Sequence, residues 1–291
     1  MIHWMGVLNL TPDSFYEPSR VDAADAAAIL ERIRGMVAAG ASVIDLGAVS
    51  TRPGASLLSV EEEWARLAPV MTALANSYVL SRDSSFSSGK YEDLAISVDT
   101  TSSEIVRRVY GAIGPFIVND ISAGEDDPQM LQTVAELGLT YIAMHKRGTP
   151  QTMDSLTDYH GGVMREIVDY FRVFARVAER VGIKDWILDP GLGFAKTDVQ
   201  NWEILQRLDV LQEFDRPILI GAADKRFTHD IPTRVLRWFG SKGAAEARLA
   251  CHVPPDPESM PDSFIPSGND VAHALAVSHG ATILRVHDIP E

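Results

Sequence analysis

Asn9, Asp45, Asp99, Asn119 with Asp120, His145, Asp189, Lys225, and Arg285 with His287 share one feature of placement. Each stands at or just beyond the C-terminal end of a short apolar run. Asp45, Asp99, Asp189 and Asn119 supply three carboxylates and an amide. That set complements the polar edge of a flat, nitrogen-rich heterocycle with several N–H donors. Arg52, Lys225, Arg285 and His287 suit a phosphate or diphosphate, for which arginine offers a two-pronged donor fork. No nucleophile accompanies them, because the spacing supports neither a Ser-His-Asp nor a Cys-His arrangement. A Walker-type loop is absent, and Gly191-Leu192-Gly193-Phe194 lacks the third glycine of a dinucleotide fingerprint. The chemistry that remains is displacement of a good leaving group, stabilised by a metal and by cations.

Each of these residues has a structural alternative. An aspartate after a strand also serves as a helix N-cap. Thr100 and Thr101 already supply that cap after Asp99, which leaves Asp99 for a site. Asp189 precedes Pro190-Gly191, a turn that uses an aspartate in its own right. His145 opens His145-Lys146-Arg147-Gly148, readable as a solvated basic loop, and His160, His229, His252 and His273 read as surface histidines. The argument for a site rests on the set, since an inward carboxylate among apolar neighbours is costly unless paired.

The elements that must position the set alternate along the chain. Eight runs read as strands: Trp4 to Leu10, Ser42 to Leu46, Ala95 to Asp99, Phe116 to Ile121, Thr140 to Met144, Trp186 to Leu188, Pro217 to Ile220 and Thr282 to Val286. They are continuously apolar, as parallel strands covered on both faces should be. Helical patterns lie between them. Ile29, Ile33, Met36 and Val37 form one face before Gly40, and Ile167, Phe171, Phe174, Ala178 and Val181 form another before Gly182. Ser59 with Glu62 and Thr101 with Glu104 read as capping boxes. Such alternation fits a (β/α)8 barrel or a doubly wound sheet, and the count of eight favours the TIM barrel. Ser81 to Gly89 reads as a serine-rich loop. Pro254 to Ser267 carries five prolines and reads as an insertion before the eighth strand. With the chain ending at Glu291, the last helix of the barrel is expected to be missing. Residues 1–291 are expected to form a single barrel domain.

Composition narrows the function. Among 291 residues, 46% hydrophobic and 23% charged, there is enough apolar material for a real core. Twenty-six basic against forty acidic residues leave a net charge of −14, the wrong sign for nucleic acid or an anionic membrane. The single cysteine, Cys251, excludes an internal disulfide and a zinc-type cysteine cluster. No signal peptide or membrane-length apolar run is visible, so a cytoplasmic protein is expected.

The loops add a resemblance. Met5-Gly6-Val7-Leu8-Asn9-Leu10-Thr11-Pro12-Asp13-Ser14-Phe15 resembles the first signature of the dihydropteroate synthase family. Asp45-Leu46-Gly47, Ser50-Thr51-Arg52-Pro53-Gly54-Ala55, Ser97-Val98-Asp99-Thr100, Asn119-Asp120-Ile121-Ser122, the 144–151 stretch Met-His-Lys-Arg-Gly-Thr-Pro-Gln, Leu188-Asp189-Pro190-Gly191-Leu192-Gly193-Phe194 and Arg285-Val286-His287-Asp288 follow in the family's order. The resemblance implies a TIM barrel that joins dihydropterin pyrophosphate to 4-aminobenzoate, giving dihydropteroate and pyrophosphate with Mg2+ as cofactor. It implies that Asp99, Asn119, Asp189 and Lys225 hold the pterin, with Asp45 close by and Arg285 against the ring. Arg285, His287, Arg52 and Thr51 would serve the diphosphate, and Asn9 the magnesium–diphosphate unit. Phe15, Pro53 and Phe194 would enclose the aminobenzoate. It also implies a homodimer.

The chain departs from this pattern on the seventh strand. Ala223-Asp224-Lys225-Arg226 stands where the family has Ser-Arg-Lys followed by Ser or Thr, so weak aminobenzoate binding is expected. The negative charge of Asp224 is expected to oppose a diphosphate nearby. Ala48-Val49 replaces a common Gly-Glu. The proline-rich insertion and the missing helix fall where the family makes its dimer. Two alternatives keep the pterin pocket: a catalytically altered paralogue, and a pterin-dependent methyltransferase domain of the corrinoid type. Thr11 to Phe15 and Ser50 to Ala55 weigh against the second.

Overall fold

The computed structural model describes residues 2–10, 26–49, 58–76, 94–149, 151–253 and 266–290. Phe15, Thr51, Arg52, Pro53, the serine-rich loop and residues 254–265 of the proline-rich stretch lie outside them. Every strand read from the sequence is present. They are β1 (His3–Asn9), β2 (Ala41–Gly47), β3 (Ala95–Asp99), β4 (Ile117–Asp120), β5 (Thr140–Met144), β6 (Trp186–Asp189), β7 (Leu219–Ile220) and β8 (Ile283–Val286). The helices are α1 (Ala26–Ala38), α2 (Val60–Ala75), α3 (Ser103–Ile113), α4 (Met130–Leu137), α5 (Val163–Val181), α6 (Asp198–Gln206), α7 (Thr233–Phe239), α8 (Ala245–Ala250) and α9 (Gly268–Ser278).

All strand pairs are parallel, in the order β6-β5-β4-β3-β2-β1-β8-β7. A bridge from Leu188 to Ile218 joins the two ends, with the Leu188 N–H donating to Pro217 O at 3.0 Å. The sheet is therefore a nearly closed TIM barrel, and the doubly wound alternative falls. Successive side chains on a strand point to opposite faces. One set builds a small inner plug of Met5, Val43, Ala95, Ile117, Ile142, Ile187, Leu219 and Ile283. The other set packs outward with the helices into a continuous apolar layer.

The helices follow their sequence signals with some corrections. Ile29, Ile33 and Met36 bury as one stripe of α1, but Val37 stays 37% exposed. The Ser59–Glu62 capping box forms as expected. The second box does not: Ser102, one residue later, caps α3 by accepting from the Ile105 N–H, while Glu104 pairs with Arg108 at 2.9 Å. Ile167, Phe171, Phe174 and Ala178 bury on α5, and Gly182 ends it at φ 92°. Between β7 and β8 the described chain adds α7, α8 and α9, the last opened by a Ser267–Asp270 capping box. The described residues after β8 hold no helix.

Candidate active site

Two residues above five of the eight plug positions the inner face turns polar. Asp45 follows Val43, Ser97 follows Ala95, Asn119 follows Ile117, Asp189 follows Ile187 and Arg285 follows Ile283. Asp45 is the hub of this layer. Its buried carboxylate accepts from Ser97 Oγ at 2.7 Å and from Asn119 Nδ2 at 3.0 Å, and it lies 3.6 Å from Arg285 Nε. Because Asn119 spends an N–H on Asp45, its amide oxygen and its other N–H remain for whatever enters the barrel. Asp99 sits beside this hub. Burial, and then the neighbouring Asp45 carboxylate, raise its pKa to about 7.

Asp189 faces the pair from the opposite wall. One carboxylate oxygen accepts the Gly191 N–H at 2.7 Å, so the turn expected after it exists and still leaves the second oxygen. Burial raises its pKa, against the pull of Lys225. Lys225 donates to Leu192 O and stands 5.1 Å from the Phe194 ring centre; burial brings its pKa down to about 8. Burial opposes the charge on Arg285, but Asp45, Asp99 and Asp189 hold its pKa above the ordinary value. His287 is lowered by burial and then by Arg285.

Asp99, Asp189, Phe194, Ala223, Lys225, Arg285 and His287 line one cavity of about 70 Å³ at the C-terminal mouth of the barrel. A wider hollow of about 790 Å³, beside Trp4, Ala247, His252 and Val277, lies at the other end of β1. Among the described residues it gathers a single carboxylate, Glu246, and no lysine or arginine, which is a poor set for gripping a diphosphate or the edge of a heterocycle. Asn9 ends β1 on the active rim. A Cβ on Gly47 would stand 3.4 Å from Asn9 Oδ1 and 3.9 Å from Asp99 Cβ, so glycine there keeps the gap between the two open.

Not every strand-end residue joins the site. Asp120 faces the outer layer, where it accepts from Tyr141 Oη at 2.6 Å, from the Ser122 N–H and Oγ at 2.7 Å each, and from the Gly124 N–H at 2.9 Å. Those bonds fill its lone pairs and give it a loop-building role. His145 is buried against Tyr170 and Lys196, not solvated, while Arg147 stacks on Tyr159 and pairs with Glu166. His273 is likewise buried, with burial lowering its pKa to about 4, which corrects its reading as a surface histidine. Asp224 is held in place by a reciprocal pair of bonds at 3.1 and 3.0 Å to Asn269, a neutral amide that orients the carboxylate and leaves its charge. Ser97 and Lys196 are additions that the strand ends alone do not disclose. Ser97 lies two residues before Asp99 on the same face, a spacing that flags it once the inward face is known.

Comparison with known proteins agrees with this geometry. Residues 5–254 match the family described as pterin binding enzyme. A dihydropteroate synthase of Synechocystis is 34% identical over 98% of this chain and 84% of its own length. The folic acid synthesis protein fol1 of Pneumocystis carinii is 36% identical over 99% of this chain, which spans 34% of that longer protein. Among solved structures, the Yersinia pestis dihydropteroate synthase in a sulfonamide complex superposes with a TM-score of 0.75 at 29% identity, over 99% of this chain and 89% of that one. The Xanthomonas albilineans enzyme with 4-aminobenzoic acid gives 0.71 at 30% identity, over 99% and 88%. The chain belongs to the pterin-binding enzyme family.

Proposed function

We propose that this chain is a dihydropteroate synthase, a transferase of folate biosynthesis that joins dihydropterin pyrophosphate to 4-aminobenzoate. The observation that carries the reading is the convergence of Asp99, Asn119, Asp189, Lys225 and Arg285 on one mouth of the barrel, around the Asp45 hub. Asp189, Asp99 and Asn119 accept the N–H groups of the pterin edge, and Lys225 donates to its ring acceptors. Arg285 lies along the ring and, with His287, reaches the diphosphate. The family resemblance assigns Thr51 and Arg52, which lie outside the described residues, to the same anion. Phe194 walls the second substrate, a role the resemblance also gives to Phe15 and Pro53.

In the reaction the bond from the pterin methylene carbon to the diphosphate oxygen breaks, and its electron pair leaves with diphosphate. The aniline nitrogen then forms the new C–N bond and loses a proton. Arg285 and His287 stabilise the departing charge, while the Asp99 and Asp189 carboxylates favour the positive charge growing on the pterin. The donor set fits Mg2+, a hard cation that takes few protein ligands and completes its shell with substrate phosphates and water. Asn9, beside Asp99, offers the amide oxygen that would hold it, and the ion would neutralise diphosphate charge when bound. We assign all of 1–291 to one domain. A cytoplasmic location is supported by the lone buried thiol of Cys251.

A coupled assay of pyrophosphate release tests the proposal. Release that requires both substrates is expected. Pterin binding without release would instead identify a paralogue that keeps the pocket and has lost the reaction.

A further inference from the structure

Lys196 lies behind the site and is buried, yet no carboxylate bonds it among the described residues. Its Nζ meets four neutral acceptors: Gly191 O and Phe194 O at 2.9 Å each, His145 Nδ1 at 3.1 Å and His145 O at 3.3 Å. An ammonium has three N–H donors, so these partners saturate it and leave none for a ligand. Such burial is costly for a lysine, and it brings the pKa down to about 7. A neutral imidazole accepts at His145 Nδ1, in keeping with a His145 pKa pushed well below ordinary by burial and then by Lys196.

The segment that Lys196 gathers does not adopt its shape easily. Gly191, Gly193 and Ala195 have φ of 68°, 80° and 53°, so every second residue is left-handed. At Ala195, which is not glycine, this costs roughly 1 kcal/mol or more and persists only where neighbours impose it. A Cβ on Gly191 would stand 2.1 Å from His145 O, so the turn also presses against the end of β5. Tyr159 Oη adds one further tie, donating to Ala195 O at 3.1 Å.

Three parts of the candidate site depend on this loop. The Gly191 N–H orients Asp189, Leu192 O receives Lys225, and Phe194 lines the cavity. We propose that Lys196 is a positioning residue: by drawing the Gly191, Phe194 and His145 carbonyls onto one ammonium, it sets where Asp189, Lys225 and Phe194 stand. The inference rests on the synthase reading for its substrates and on the loop geometry for its mechanism. Lys196 is no catalytic group, because its hydrogens are taken by backbone carbonyls and the His145 ring and it does not line the cavity.

Lys196→Met keeps the stem and removes every donor. Measured beside the wild type, the dissociation constant for dihydropterin pyrophosphate and the KM for 4-aminobenzoate are each expected to rise on the order of tenfold, with kcat within about threefold. The held groups contact substrate before and during reaction, so their displacement weakens ground and transition states alike. Lys196→Arg, which retains charge and donors, should recover part of the loss. Hydrogen exchange in the ligand-free protein should show faster exchange at Gly191 and Gly193 in Lys196→Met, with distant strands unchanged. A lowered melting temperature with both constants unchanged would overturn the proposal, as would a fall in kcat alone. Should Lys196→Met not fold, Lys196→Gln carries the same comparison, and failure of all three variants to fold would make the residue a folding determinant instead. A wild type that binds no pterin would sink the synthase reading while the exchange experiment still decides the role of Lys196.

Discussion

Ile187 and Asp189 sit two residues apart on β6 and face the same way, yet one belongs to a sealed apolar plug and the other to a polar mouth. The same step recurs from Val43 to Asp45, Ala95 to Ser97, Ile117 to Asn119 and Ile283 to Arg285. At about 3.3 Å per residue the two layers are separated by roughly 7 Å. The plug residues are all buried, and a close-packed apolar interior resists deformation. That rigidity lets the layer above hold three carboxylates near one another without collapsing into alternative pairings. Asp45 is the member fully engaged by protein partners, while Asp99 and Asp189 remain for a ligand and have raised pKa values. Stability is built in the floor and chemistry is spent at the mouth.

The comparison breaks if neighbouring substitutions on β6 behave alike. Asp189→Ala should abolish measurable pterin uptake in calorimetry, a loss on the order of a hundredfold or more, since two charged hydrogen bonds are each worth about 1.5–3 kcal/mol. Its melting temperature should hold or rise, because a buried carboxylate is removed. Ile187→Ala should do the reverse, costing about 2–5 kcal/mol of stability through the cavity it opens, while folded molecules still bind pterin. Equal affinity loss in both variants would erase the distinction between the layers.

Titration sharpens the same contrast, because only the mouth carries ionisable groups. Asp99 has its pKa raised to about 7, so the carboxylate that accepts ring N–H groups is lost as pH falls through that value. Lys225 is lowered to about 8, so its ammonium is lost as pH rises through that value. Pterin affinity should therefore peak between these pKa values and fall by up to about tenfold per pH unit outside them. A flat profile would show that neither group contacts the ring.

How far the sequence reveals this division can be read at Asn119 and Asp120. The apolar runs disclose all eight strands, and the polar ends disclose which rim to examine. The runs do not disclose which of two adjacent polar residues faces inward. That follows from the plug: Ile117 points in, hence Asn119 does, and Val118 with Asp120 points out. Continuous apolarity hides this alternation because both faces are covered. His273 eludes the sequence for a related reason, since its position on α9 is set by the helix packing onto Trp4, at 6.1 Å between rings. Helix α9 has a legible start in Ser267-Gly268-Asn269-Asp270, obscured by the prolines before it. Lys196 gives little signal, because three of its four partners are backbone carbonyls, which sequence does not encode.

A smaller effect separates the two layers by stability. The native state holds the Asp99 proton far more tightly than an unfolded chain, whose aspartate pKa is near 3.8. Between those two pKa values the unfolded chain binds fewer protons, so stability falls as pH rises, and the deficit is complete above about 7. Asp99→Asn removes the ionisation. Its melting temperature should exceed that of the wild type by a few degrees, roughly, at alkaline pH and converge with it in acid. A gain confined to acid would mean that Asp99 is stabilised as a carboxylate, against its placement beside Asp45.

The smallest expected change lies at Ala223, whose methyl group lines the cavity beside Lys225 where the resemblance leads one to expect a serine. A hydroxyl there adds one neutral hydrogen bond to a second substrate, worth about 0.5–1.5 kcal/mol, or roughly two- to tenfold in affinity. Ala223→Ser should accordingly lower the KM for 4-aminobenzoate within that range and leave pterin binding untouched, because the ring edge is held by Asp99, Asn119 and Asp189. Steady-state kinetics with each substrate varied in turn would show it. An unchanged KM would mean that the second substrate does not approach β7, and Phe194 alone would then mark the wall it uses.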